Sequence, residues 1–210
     1  MPAPVAPGAH NAVPTASRLT SANPFSTRYT RPGAVPPLDA SGRPLDVGRL
    51  LDRIHDGCWV IEGPHGRGKT TLVHALITAA AAAGRATSFV QVRSWADAWP
   101  ALSSVATAGS GHIVAVDGWE QLPWGVGVLI VAMARWRRTA LITTAHRPIG
   151  LPVLARHESS PALVAAIIER LPDHHGSILP DDVEQAFRCH RGNVRDTLAA
   201  LYDRFEERRP

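Results

Sequence analysis

"GPHGRGKT", residues 63–70, is the stretch that decides how the rest of the chain is interpreted. It satisfies the pattern G-x-x-x-x-G-K-[ST] in full, and the glycines of that pattern let backbone N–H groups turn inward onto phosphate oxygens. The apolar stretch 58–62 predicts a strand before it, and an Ala- and Leu-rich stretch from about 68 to 83 predicts a helix after it. The start of that helix adds positive potential toward an anion. We therefore predict a phosphate-binding loop; the alternative is a glycine-rich turn without a ligand, which does not require this context.

The residues of the loop have distinct expected roles toward a nucleotide. Lys69 would reach the β and γ phosphates and act in catalysis, Thr70 would hold Mg²⁺, and Thr71 would contact the α phosphate. His65 and Arg67 occupy variable positions, to which the pattern assigns no particular contact. The predicted nucleotide-binding residues are Gly63, Pro64, His65, Gly66, Arg67, Gly68, Lys69, Thr70 and Thr71. The predicted cofactors are accordingly ATP and Mg²⁺.

Strand and helix patterns alternate after the loop, which favours an α/β fold. The predicted strands are 58–62, 87–92, 112–117, 140–144 and a fifth near 153–157. Helices are predicted at about 95–107 and 120–137, as well as after the phosphate loop. The expected fold is a mainly parallel, five-stranded P-loop NTPase sheet with helices on both faces and a small C-terminal helical lid.

Composition divides the chain into four segments. Residues 1–22 are rich in Pro, Ala and Ser with almost no charge, so we predict a disordered tail. Residues 23–56 are predicted to form an extended N-terminal segment followed by a short amphipathic helix. The NTPase core is expected at 57–160, and helical patterns separated by Pro and Gly predict a helical lid at 161–210.

The bulk properties narrow the class of protein. The chain has 22 basic and 18 acidic residues, a formal charge of +4, which favours weak attraction to phosphates but does not by itself indicate a nucleic-acid binder. Its two cysteines show no CxxC pairing, and the N-terminus lacks the features of a secretory signal. The most apolar run, 124–134, is shorter than the ~20 residues of a membrane span. We expect a cytoplasmic protein with no membrane segment.

"VAVDGWEQL", residues 114–122, carries two acids at the end of an apolar run. Asp117 would lie at the carboxyl end of a buried strand and hold Mg²⁺ opposite Thr70; alternatively, it caps the following helix. Glu120 would lie near Asp117 and act as the general base toward water, or only favour the start of a helix through its charge. A further alternative is that Gln121, and not Glu120, positions the attacking water.

These motifs together resemble the additional-strand P-loop ATPases, which include the AAA+ and STAND families. "VDGWEQL" is similar to the acidic strand motif of the NACHT branch of STAND proteins, where Asp-Gly is followed by a hydrophobic residue and an acid. The usual AAA+ pattern places the catalytic Glu directly after the Asp, and here that position is Gly118. The resemblance covers about residues 57–207 and implies nucleotide binding more firmly than hydrolysis.

The same resemblance implies two sensors of the γ-phosphate. In "LITTAHRP", residues 141–148, Thr144 or His146 would hydrogen-bond the attacking water and Arg147 would meet the phosphate charge. The alternative is that these polar groups only complete the strand end, with Arg147 in solvent. "GNVRD", residues 192–196, is similar to the second sensor of AAA+ lids, with Arg195 aimed at the nucleotide. Alternatively, Arg195 pairs with Asp196 or a nearby Glu.

The N-terminal segment falls where such ATPases often carry an adenine-contacting stretch, and Tyr29 is the candidate for stacking. The function that these features imply is an ATPase whose hydrolysis moves a helical lid to act on a protein or nucleic-acid partner, with a homo-oligomer as one form of assembly. Two other hypotheses remain: a nucleotide-dependent switch or scaffold that hydrolyses ATP poorly, and a small-molecule phosphotransferase using Arg188 and Arg191 over its acceptor.

Overall fold

The computed structural model of the chain describes residues 23–172 and 178–209. The predicted disordered tail at 1–22 lies outside these residues. None of the helices within the described ranges combines the length and the apolar character that crossing a membrane requires.

Five strands form the sheet: β1 Cys58–Glu62, β2 Thr87–Gln91, β3 Ile113–Asp117, β4 Ala140–Ala145 and β5 Val153–Arg156. Their order is β2-β3-β4-β1-β5, and all four neighbouring pairs are parallel. The predicted α/β fold with a five-stranded sheet is therefore confirmed. Because β4 separates β1 from β3, the strand that ends in Thr144 and Ala145 lies between the phosphate loop and Asp117.

Helices cover both faces of the sheet. The helices of the core are α2 Val47–Asp52, α3 Lys69–Ala82, α4 Ala98–Thr107 and α5 Trp124–Arg137, and a one-turn helix, α1 Thr27–Thr30, precedes them. Alternate residues of β3 serve the two faces: Ile113 and Ala115 pack with α2 and α3, whereas Val114 and Val116 pack with α4 and α5. All five positions of β3 are buried, which is why its sequence is continuously apolar up to its terminal acid.

The C-terminal region is helical, with α6 Pro161–Ile168, α7 Pro180–Cys189 and α8 Val194–Glu207 around a core of its own. Part of the N-terminal segment joins this core through Phe25 and Leu38. The Asn23 amide donates to the Tyr202 carbonyl oxygen at 3.1 Å, which holds the segment against α8. The segment that we expected to be extended thus contains α1 and packs with the C-terminal helices.

One predicted helix, 120–137, begins later than expected. Residues Trp119–Gln121 form a separate 3₁₀ turn, Leu122 is extended, and α5 starts at Trp124. Proline disfavours the helical conformation in the residue before it, so Pro123 forces Leu122 out of the helix. Glu120 therefore lies on this separate turn and not in the first turn of α5.

Candidate active site

The phosphate loop joins β1 to α3, and Lys69 is the first residue of that helix. Lys69 is the only lysine in the chain and is only 7% exposed. Its Nζ donates to the carbonyl oxygens of Gly63 at 2.5 Å and Pro64 at 2.8 Å. Burial lowers the pKa of Lys69, while the nearby carboxylates of Glu120 and Asp117 act to raise it. A buried cation thus lies inside the loop, facing two acids.

Asp117 is fixed by two threonine hydroxyls at the end of β3. Its Oδ2 accepts from Thr70 Oγ1 at 2.9 Å, and its Oδ1 accepts from Thr144 Oγ1 at 2.7 Å. The Gly118 N–H in turn donates to Thr144 Oγ1 at 2.9 Å. The first turn of α3 and the ends of β3 and β4 therefore meet at one buried carboxylate. Asp117 binds these hydroxyls rather than capping a helix.

Gly118 occupies a position that a larger residue does not fit. Its φ is 95°, in the left-handed region, and a Cβ built on it would lie 2.4 Å from the Val92 carbonyl oxygen. Both features favour glycine at this position. The structure thus accounts for the absence of a glutamate directly after Asp117: the backbone that leads into the 3₁₀ turn leaves no room for it.

Glu120 lies on the 3₁₀ turn and binds a histidine at the end of β4. Its Oε1 is 2.6 Å from His146 Nε2, and the His146 ring lies against that of His65 with centroids 3.3 Å apart. Burial and the charge of Lys69 lower the pKa of His146, whereas Glu120 acts to raise it. Glu120 and Gln121 line the same polar cavity as Thr70. One loop, one turn and one strand end thus bring His65, Glu120 and His146 together.

Arg147 follows β4 but is exposed, lines neither of the two cavities described here, and forms no hydrogen bond or ion pair within the described part of the chain. Arg195 is also exposed, yet it lines both cavities. Its expected alternative partner, Asp196, instead accepts from Asn193 Nδ2 at 2.6 Å. Among the candidate arginines, Arg195 is therefore brought to the site and Arg147 is not.

The start of α8 rests directly on the phosphate loop. The Arg195 backbone N–H donates to the Gly66 carbonyl oxygen at 3.3 Å. Gly66 has a φ of 69°, and a Cβ there would lie 1.7 Å from Asn193 Oδ1. Asn193 caps α8 by accepting from the Asp196 N–H. The left-handed φ and the close approach of Asn193 both favour glycine at position 66, where the loop contacts the start of α8.

Two neighbouring cavities adjoin the loop. The first has a volume of about 520 Å³ and lies between the N-terminal segment, the loop and the C-terminal helices; its walls include Phe25, Pro32, Val35, Thr71, Leu163 and Leu198. The second, of about 700 Å³, is polar and includes His65, Thr70, Gly118, Glu120 and Gln121. Arg31, Pro32 and Arg195 line both, so the two spaces are contiguous.

Tyr29, the sequence-based candidate for stacking, does not line the first cavity. It packs against the core of the C-terminal helices, with the Arg28 guanidinium 5.5 Å from its ring centroid. Phe25 and Pro32 of the same segment line the cavity instead. The N-terminal segment thus lines this cavity, but through residues other than Tyr29.

His157, just after β5, was missed by the sequence analysis. It is buried, lines the first cavity, and its carbonyl oxygen would lie 2.5 Å from a Cβ on Gly63. Burial lowers the pKa of His157, against the effect of a hydrogen bond with the Arg67 backbone. Its Nε2 is buried without a partner among the described residues. No motif marks this histidine, because its position depends on the pairing of β5 with β1.

Comparisons with known proteins address the fold. No protein-family model matches the chain, and a search of curated proteins gives no match either. Among solved structures, Thermotoga maritima RuvB, a Holliday junction branch migration motor, is 19% identical with a TM-score of 0.52 over 77% of this chain and 61% of that chain. A mutant RuvB from the same organism is 18% identical with a TM-score of 0.53, over 77% of this chain and 58% of that chain.

The chain therefore has a P-loop NTPase fold like that of these RuvB chains. It spans about three fifths of the length of the RuvB chains that it matches. Within this fold, the phosphate loop, Asp117 and Thr144 lie at the carboxyl ends of neighbouring strands, where open α/β sheets bind their ligands.

Proposed function

We propose that this chain is a Mg-ATP-dependent ATPase whose nucleotide binds between the sheet and the C-terminal helices. The observation that carries the proposal is the 2.9 Å hydrogen bond between Thr70, at the end of the phosphate loop, and the buried Asp117. A hydroxyl and a carboxylate so placed next to a glycine-lysine loop are the groups that P-loop ATPases use for nucleotide and metal.

The residues fit Mg²⁺. Thr70 and Asp117 offer hard oxygen ligands, which Mg²⁺ prefers, and no basic side chain forms an ion pair with Asp117 within the described residues. When bound, Mg²⁺ would neutralise charge on the β and γ phosphates. The residues of 63–71 other than Pro64, which has no backbone N–H, would cradle the phosphates through their N–H groups. Lys69 would exchange its two carbonyl partners for phosphate oxygens.

The first cavity suits the nucleoside. Its volume of about 520 Å³ lies within the range of small-ligand sites, and its largely apolar walls suit a purine ring. Phe25, Pro32 and Leu198 are the residues we propose to enclose the base. Thr71 lines the same cavity, and in this proposal it lies between the base and the phosphates.

Hydrolysis would occur in the polar cavity. Glu120 is the proposed general base, and His146, at 2.6 Å from it, would hold its carboxylate in place. Thr144 orients Asp117, and Arg195 would meet the γ-phosphate charge from the lid. Arg147 remains a catalytic candidate only if nucleotide binding or a second copy of the chain brings a phosphate to it.

The proposed output is movement of the C-terminal helices. Arg195 contacts Gly66 of the loop through its backbone and lines the nucleotide cavities with its side chain, so loss of the γ-phosphate would remove an attraction that holds α8 to the loop. The partner would be a protein or a nucleic acid, with a homo-oligomer as one form of assembly. Within the P-loop ATPases, the Asp-Gly-x-Glu arrangement of 117–120 supports membership of the NACHT branch of the STAND proteins.

A non-hydrolysing switch is the second candidate function. One observation favours it: Gly118, where a larger residue does not fit, takes the position of the usual catalytic glutamate. The phosphotransferase hypothesis has no comparable support. Arg188 pairs with Glu184 at 4.0 Å, and neither Arg188 nor Arg191 lines the two cavities.

Steady-state phosphate release and equilibrium ATP titration, each on the wild type and on Lys69→Ala, test the proposal. The ATPase proposal predicts Mg-dependent phosphate release by the wild type in at least one of two conditions, with added DNA or without it. It predicts no release above background by Lys69→Ala. ATP binding without release in any condition would favour the switch. Equal ATP binding by both proteins would overturn both functions, because Lys69 is the cation of the proposed phosphate site.

A further inference from the structure

Three metal-ligating side chains converge beside the proposed Mg²⁺ site. His65 comes from the phosphate loop, Glu120 from the 3₁₀ turn after β3, and His146 from the end of β4. One nitrogen or oxygen from each lies within 4.8 Å of the others. In the proposed hydrolysis, His146 would hold the Glu120 carboxylate in place, but that role does not require His65. The meeting of two imidazoles with one carboxylate therefore goes beyond what the proposed ATPase function needs.

The three side chains of this cluster are in direct contact, His65 and Glu120 each with His146. Glu120 Oε1 lies 2.6 Å from His146 Nε2, and the His65 ring lies 3.3 Å from the His146 ring at an angle of 30°. Two ligand atoms bonded to a tetrahedral ion at ~2.05 Å are roughly 3.3 Å apart. The Glu120 carboxylate, 32% exposed, would therefore need to open by less than about 1 Å, which a side-chain rotation provides.

We propose that His65, Glu120 and His146 form a second metal site, which binds a transition-metal ion of the Zn²⁺ type. Two imidazoles and one carboxylate suit Zn²⁺ and its neighbours, whereas Mg²⁺ prefers the all-oxygen pair of Thr70 and Asp117. Three protein ligands would leave a coordination position open. Two of them, His65 and Glu120, line the polar cavity in which the γ-phosphate would lie. The two sites thus separate by ligand type.

Occupation of this site has a regulatory consequence, which rests on the proposed ATPase function. A metal-bound Glu120 carboxylate cannot take a proton from water, so the ion removes the general base. It would also tie the phosphate loop, through His65, to the end of β4. Micromolar Zn²⁺ would therefore inhibit ATP hydrolysis without displacing Mg²⁺ from Thr70 and Asp117.

The test of the site uses Co²⁺ as a spectroscopic probe, with Zn²⁺ as the competitor, on the full chain without nucleotide or affinity tag. The wild type should develop visible absorption at one Co²⁺ per chain, and Zn²⁺ should abolish it. His65→Ala, His146→Ala and Glu120→Gln should each weaken binding on the order of tenfold or more. His74→Ala is the matched control, because His74 lines the same cavity but packs on Phe89 and should bind normally. Equal binding by the wild type and the exposed-loop variant His65→Ala would overturn the site.

A second measurement separates this proposal from the ATPase itself. Phosphate release by the wild type at fixed Mg-ATP should fall as Zn²⁺ is added. The His65→Ala variant should release phosphate at the same rate with and without Zn²⁺. A chain that binds Co²⁺ as described but releases no phosphate overturns the ATPase and leaves the metal site standing. If the wild type releases phosphate but Zn²⁺ inhibits the wild type and His65→Ala equally, the inhibitory role of this metal site is overturned.

Discussion

The Thr144 hydroxyl donates a 2.7 Å hydrogen bond to one carboxylate oxygen of Asp117, from the strand next to it in the sheet. Thr70 binds the other oxygen at 2.9 Å. Asp117 is only 6% exposed, so these two hydroxyls replace hydrogen bonds that water would donate to a carboxylate in solution. The relationship links a residue expected to sense the γ-phosphate to the residue expected to hold Mg²⁺.

Thr144→Val should impair both stability and hydrolysis. The substitution preserves the shape of the side chain but removes the donor to Asp117 and the acceptor for the Gly118 N–H. We expect a loss of about 1–3 kcal/mol in the free energy of unfolding and of roughly 10- to 100-fold in kcat, since a positioning partner is removed. Chemical denaturation and phosphate release measure the two effects. Thr144→Ser, which keeps the hydroxyl, should retain most of both; equal losses in the two variants would contradict the role of the hydrogen bonds.

Glu120→Gln should separate binding from chemistry. The amide keeps the size of the side chain but cannot accept a proton, so kcat should fall by about 10²- to 10⁴-fold while the Kd for Mg-ATP changes little. Single-turnover phosphate release and ATP titration measure these quantities. Full activity in Glu120→Gln would show that another group, such as Gln121, positions the water, and the assignment of the base would be wrong.

Arg195→Ala should weaken the response of the C-terminal helices to the γ-phosphate. A charge-assisted hydrogen bond contributes about 1.5–3 kcal/mol, so the preference for ATP over ADP should fall roughly 10- to 100-fold. Competitive titration with the two nucleotides measures this preference. Arg188→Ala is the control, because Arg188 is exposed on α7 and away from both cavities. If both variants keep the wild-type preference, Arg195 is not a sensor.

The C-terminal helices contain an ion-pair network with a predictable pH dependence. Asp182 accepts from Arg208 at 2.5 Å and Arg204 at 2.9 Å, and the hydrogen bond from Arg208 in particular lowers the pKa of Asp182 to about 2. Since the folded pKa is depressed, its stabilisation is present above the unfolded pKa and is lost as pH falls through the folded one.

Asp182→Asn should therefore lower the free energy of unfolding by ~1 kcal/mol at pH 7, a value discounted for the partial exposure of both arginines. The difference in unfolding free energy between the variant and the wild type should shrink between about pH 4 and pH 2, because the wild-type carboxyl gains a proton and becomes uncharged like the asparagine. Denaturant titrations across this range measure it. A constant difference at all pH values would show that the arginine pairing does not cause the effect.

The parts of this structure that the sequence predicted are those with a local signal. The loop at 63–70, the buried strand before Asp117 and the order of strands and helices all follow from short patterns in one stretch of chain. The late start of α5 was also available locally, because Pro123 restricts Leu122, but the apolar run after it obscured the break.

The remaining features depend on contacts between distant segments. Phe25 and Pro32 line the first cavity only because the N-terminal segment packs on α8. His157 depends on the pairing of β5 with β1, and the meeting of His65 with His146 depends on β4 lying beside β1. No spacing along the chain encodes these approaches, so a single sequence cannot reveal them.

The central claim is that nucleotide phosphates bind in the loop at 63–70, and the single lysine of the chain allows a direct measurement. An acyl-phosphate derivative of ATP transfers its acyl group to an amine held near its phosphates, and the amines available are Lys69 and the N-terminal amine. Mass spectrometry should find Lys69 acylated, with excess Mg-ATP suppressing this modification but leaving that of the N-terminal amine unchanged. An unmodified Lys69, or one acylated equally with and without excess Mg-ATP, would contradict the claim.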